Sequence, residues 1–79
     1  MNREFIVYHL GIFLAKINED NPEVLIPCPT KQYQRDVIKG LRKELDYISR
    51  WNNDVVLKVL YAPYFHDKRL WVRLRKGGA

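Results

Sequence analysis

Residues 4–17, EFIVYHLGIFLAKI, are dominated by β-branched, aromatic and leucine side chains with Gly11 among them. That is strand chemistry, with the glycine marking a bulge or bend. "NEDNP" (18–22) is a dense cluster of turn formers, and "EVLIPC" (23–28) is a second apolar run. The pattern predicts a hairpin, one strand ending near Ile17 and the next spanning Glu23 to Cys28. Pro27 confines that second strand to a sheet edge, or ends it.

The period then changes. Thr30 is the expected N-cap, because its hydroxyl can accept from a free amide of the first helical turn. From Lys31 the apolar positions Val37, Ile38, Leu41, Leu45 and Ile48 fall within about 100° of arc at helical spacing, the stripe of a helix lying on a core. Gly40 within it weakens the helix and would let it approach the sheet closely. Asn52 and Asn53 are expected to end it.

The last third, DVVLKVLYAPYFHDKRLWVRLRK, reads as two strands, Val55 to about Tyr61 and Arg69 to about Arg75, joined across Pro63 to Lys68. The expectation is a two-layer α+β domain. A four-stranded, mainly antiparallel sheet in the order ββαββ is covered on one face by a single long helix. One domain spans residues 1–79, with 76–79 as a flexible tail, and the other sheet face is solvated, bound to a partner or paired with a second copy.

Composition narrows the class. With 47% hydrophobic and 13% aromatic residues the chain is too apolar for disorder. Cys28 is the single cysteine, so no intramolecular disulfide and no zinc site built on paired cysteines can form. The apolar start lacks the features of a signal peptide and is too short to span a bilayer, which points to a cytoplasmic protein. The formal charge of +5 is uneven. Up to Thr30, Arg3 and Lys16 face four acidic residues; from Lys31 onward twelve basic residues face five acidic ones. Such asymmetry is an electrostatic footprint for an anionic partner.

Nothing converges on catalysis. His66 lies beside Asp67 in a turn, His9 lies in an expected strand, and Cys28 stands between two prolines, so neither a base-activated nucleophile nor a metal cluster is visible. No enzyme activity, cofactor, metal, membrane contact or small-molecule substrate is expected.

The final strand carries the most information. Alternation sends Leu70, Val72 and Leu74 to one side and Arg69, Trp71, Arg73 and Arg75 to the other. Arginine grips phosphate through a planar fork, and an exposed aromatic offers a surface on which an unpaired base can stack. The same row would also suit an edge strand blunted by charge, with Trp71 under aliphatic stems. Opposite the apolar stripe of the helix lie Arg35, Lys39, Arg42 and Lys43, a second basic surface interrupted by Asp36 and Asp46.

The leading expectation is a small basic accessory protein that binds nucleic acid or a nucleoprotein. Lys68, Arg69, Arg73, Arg75 and Lys76 would contact phosphate and Trp71 would stack, helped by Arg35, Lys39, Arg42 and Lys43. The alternative is a protein-binding module, an inhibitor or assembly factor of the kind mobile elements encode, acting through an apolar open sheet face with Tyr8, Tyr61, Tyr64, Phe65 and Trp71, including as a homodimer. The ending RLRKGGA resembles the tail of a ubiquitin-type modifier, and the expected strand, strand, helix, strand order is similar to a β-grasp domain, a likeness that covers only the last half-dozen residues and a coarse topology. No glycine-rich phosphate loop, paired short helices or aromatic-glycine RNA-binding submotif is present.

Overall fold

A computed structural model describes residues 2–77. Its elements run α1 (Arg3–Ala15), β1 (Glu23–Cys28), α2 (Lys31–Ser49), α3 (Asn53–Leu57), β2 (Val59–His66) and β3 (Arg69–Lys76). The fold is α+β. Among the described residues it has a three-stranded antiparallel sheet and three helices, not four strands in the order ββαββ with one helix.

The largest correction is at the N-terminus, where the expected first strand is helix α1. The Asn2 side chain caps it by accepting from the Glu4 N–H at 2.8 Å, and Glu4 sits in the first turn, where the helix dipole favours a carboxylate. Ile6, Leu10, Phe13 and then Ile17 enter the core at three- and four-residue spacings, which an alternating strand cannot do. Val7, Tyr8 and Ile12 on the other side are apolar too, so the helical period is concealed. Gly11 is not a bulge but an exposed helical residue with open space where a Cβ would stand. His9, placed on a helix rather than a strand, has Nδ1 at 2.8 Å from the Phe5 carbonyl.

Helix α2 starts where expected, with the Tyr33 N–H donating to the Thr30 hydroxyl at 3.0 Å. Val37, Leu41 and Leu45 are buried, and Ile38 and Ile48 pack at the margin of the core. The helix closes at Arg50, and Asn52 instead caps α3 by accepting from the Val55 N–H at 3.1 Å. The first hairpin strand therefore begins at Val59 instead of Val55. Gly40 does permit a close approach, but to α1: a Cβ there would stand 2.8 Å from Ile6 Cγ1.

The hairpin turn is shorter than Pro63 suggested. Asp67 and Lys68 alone form it, with φ of 52° and 61°, the two left-handed residues of a tight I′-type turn that sets His66 opposite Arg69. Pro63 stays inside β2, and Pro27 inside β1. Both strands are sheet edges, where a missing N–H is tolerated. Lys76 closes β3 rather than opening a tail, and the Gly77 N–H donates to the Lys58 carbonyl at 2.7 Å. Gly78 and Ala79 lie outside the described residues.

The sheet order is β1-β3-β2, so β3 is central. Ile26, Cys28, Val59, Val72 and Leu74 form one core with the inward sides of α1 and α2, which therefore cover the same face of the sheet. Two polar side chains enter this region. Glu44 is 7% exposed and receives the Arg3 guanidinium, Nε to Oε1 at 2.6 Å, which raises the Arg3 pKa through that hydrogen bond and the carboxylate charge. Gln34, also 7% exposed, bonds to the sheet backbone.

Candidate nucleic-acid interface

The register of the sheet defines what its uncovered face presents. Residues directly opposite each other share a face. The β3 row Arg69, Trp71, Arg73, Arg75 therefore lies beside His66, Tyr64, Ala62 and Leu60 of β2, and beside Pro27, Leu25 and Glu23 of β1. Leu70, Val72 and Leu74 point to the helices, as alternation requires.

Four planar or charged groups are linked across this face. The Tyr64 ring stacks on His66, 5.9 Å between centroids and 20° between planes. The Arg73 guanidinium lies over the same tyrosine, 4.8 Å from its centroid, and its Nε donates to Glu23 Oε2 at 2.6 Å. Arg73 is thus held by an aromatic ring from one neighbouring strand and a carboxylate from the other. Trp71 is half-buried between Pro27 and Tyr64, and its indole N–H donates to the His66 carbonyl at 3.1 Å. That bond satisfies the polar end of the indole within the protein and leaves its ring as the surface on offer.

Charge on the face is predominantly positive. Glu23 neutralises Arg73, while Arg69 and Arg75 have no carboxylate within ion-pair distance among the described residues. A polar cavity of about 550 Å³ opens between Asn21, Glu23, Arg73, Arg75 and Lys76. A smaller one of about 240 Å³ lies over Leu60 to Tyr64, and Arg73 and Arg75 line both. These two arginines stand where the basic and apolar portions of the face meet.

The residues singled out from sequence do not form one surface. Arg69, Trp71, Arg73 and Arg75 are together on the open face, Lys68 projects from the hairpin turn, and Lys76 ends β3. Arg35, Lys39, Arg42 and Lys43 occupy the side of α2 opposite its buried stripe, so they face away from the sheet. The two basic surfaces lie on opposite sides of the domain. The aromatic set separates as well: Tyr64 and Trp71 are on the open face, Tyr61 packs toward the core, Phe65 lies on the helix side of β2, and Tyr8 is on the outside of α1. Glu23 and His66 touch Arg73 and Tyr64 on this face and were not among the candidates read from sequence. A two-residue turn at Asp67-Lys68 would have set Tyr64 opposite Trp71 and brought His66 into the row.

Among the described residues no group of His, Cys, Asp and Glu could hold a metal ion, and no helix is long and apolar enough to cross a membrane. Compared with protein-family models, curated proteins and solved structures, the chain matches none.

Proposed function

We propose that the open face of the sheet binds single-stranded nucleic acid, free or within a nucleoprotein, without catalysing a reaction. The observation that carries this reading is Arg73 fixed between Tyr64 and Glu23, in one row with Trp71 and with Arg69 and Arg75, which among the described residues have no carboxylate partner and no helix over them. A guanidinium that is already positioned loses less freedom when it meets a phosphate. Aromatic rings between cations are what an unstacked base and its backbone need: a π-surface for the base, a charge for the phosphate. Arg69 to Arg75 spans about 20 Å at strand rise, the scale of a few nucleotides.

Duplex binding is the poorer fit. The second basic surface, on α2, points the opposite way, and α3, at five residues, is too short to act as a helix lying in a major groove.

The test is a fluorescence titration. Trp51, 77% exposed and just past the end of α2, is replaced in Trp51→Phe so that Trp71 reports alone. Single-stranded oligonucleotides should quench it, and the logarithm of affinity should fall against that of salt with a slope of about −2, for three arginines on a single strand. No quenching and no binding at low salt, or a duplex preferred over the single strand, ends the proposal.

A further inference from the structure

Helix α1 presents an apolar face that the fold does not use. Val7, Tyr8 and Ile12 are 43%, 65% and 37% exposed, and Gly11 and Ala15 complete the stripe with no bulky side chain. A helix that is apolar all round normally has both sides covered, and only the side with Ile6, Leu10 and Phe13 is covered here. The single cation at the N-terminal end of the stripe, Arg3, is committed to Glu44.

We infer that this face pairs with α1 of a second copy of the chain in an antiparallel, two-fold arrangement. The order of residues along the stripe is self-complementary. Setting Tyr8 over the second copy's Gly11 places a large ring where nothing stands within 4 Å of the missing Cβ. Val7 and Ile12 flank this contact on the two edges of the stripe, the same register brings Glu4 within one residue of the second copy's Lys16, and the two-fold repeats each contact. The carboxylate at one end and the ammonium at the other thus meet their opposites twice. The recess beside Glu4, about 350 Å³ between Arg3, Glu4, Val7 and Tyr8, leaves space for the lysine stem.

Charge selects a second copy here over the alternatives. Within α1 the only charged side chains are Arg3 and Glu4, which balance, so two copies of the helix do not repel each other and neither attracts nucleic acid. Self-pairing through the sheet face would instead bring two rows of arginines together. The stripe is one helix long, about 20 Å, which places the contact among small, weak interfaces. A concentration-dependent dimer follows, not an obligate one. This inference is independent of nucleic-acid binding, since no residue is shared.

Sedimentation of the full chain from about ten micromolar to about one millimolar is the experiment. The mass is expected to rise toward twice the monomer at the upper end. Ile12→Lys and Tyr8→Asp, both at exposed positions, should hold it at the monomer with an unchanged circular-dichroism spectrum. Glu4→Lys and Lys16→Glu should each weaken the dimer, and the two together should restore it, which a merely local role of either residue would not produce. A monomer across the whole range, a dimer indifferent to Ile12→Lys, or charge reversals that add without recovery would each overturn the proposal.

Discussion

The Gln34 side-chain amide donates to the Trp71 carbonyl at 2.8 Å and to the Tyr64 carbonyl at 3.3 Å. A residue of α2 on the covered side of the sheet thereby holds the backbone of the two aromatic residues on the open side. An amide this deeply buried is costly without partners, and here both partners belong to the pair at the centre of the candidate interface.

Gln34→Leu keeps the volume and removes both bonds. Stability should fall by about 1–2 kcal/mol, read from urea denaturation, corresponding to a Tm lower by about 4–16 °C for a domain of this size. If the tether also sets the position of Trp71, oligonucleotide affinity should drop in this variant even under conditions where it is fully folded.

On the open face, Trp71→Ala should cost about 1–3 kcal/mol of binding with little change in salt dependence, because it removes stacking and no charge. Arg75→Ala should reduce the salt slope by somewhat less than one unit. Glu23→Gln keeps the size but weakens the hold on Arg73, so its effect measures prepositioning against added positive charge. Lys39→Ala with Lys43→Ala, on the far side of the domain, should leave binding to single strands nearly unchanged. Equal losses from the helix pair and from Arg75→Ala would show that affinity comes from net charge alone.

The hairpin turn is built without the residue that suits it. Lys68 sits at φ 61°, where a Cβ is disfavoured. Lys68→Gly should stabilise the protein by roughly 1 kcal/mol, seen as a higher urea midpoint with an unchanged m-value.

Gly40 marks the crossing of α1 and α2. Gly40→Ala would favour an isolated helix, but its Cβ would stand 2.8 Å from a branch carbon of Ile6, which is 1% exposed and has little room to move. The expected net effect is a loss of about 1–2 kcal/mol, read from urea denaturation.

Burial pushes the Cys28 thiol above its ordinary pKa of 9.0, opposed in part by a backbone hydrogen bond from Val72. The native fold therefore favours the protonated thiol. Below the ordinary pKa both states carry the proton and nothing is lost; as pH rises past it, the unfolded chain ionises first and stability declines. Cys28→Ala should flatten the fall in stability above about pH 9 relative to the parent. In the native state at neutral pH, the thiol should react with alkylating reagents far more slowly than in urea.

What the sequence disclosed tracks how local each feature is. Helix α2 was legible because its stripe, cap and polar face agree within one segment. The alternation of β3 was legible because any strand must send Arg69, Trp71, Arg73 and Arg75 one way. Helix α1 was not, since Val7, Tyr8 and Ile12 hide the period of Ile6, Leu10 and Phe13, and Asn2 alone signals the cap. Pro63 drew the turn out of place, although an edge strand accepts it. The environment of Arg73 could not be read at all: it depends on Glu23, fifty residues away in sequence, and on a cross-strand register set by two turn residues.

That sheet order has a kinetic consequence. The β2–β3 hairpin can close from local contacts, on the microsecond scale of isolated hairpins. Strand β1 must arrive from far along the chain to dock on the other edge of β3, and long loop closures of this kind are slow. Trp71 and Tyr64 can meet early, whereas Glu23 reaches Arg73 only at the final docking. The last contact to form would then be the one that steadies the central arginine, so a half-assembled chain displays its charges before it can present them in order.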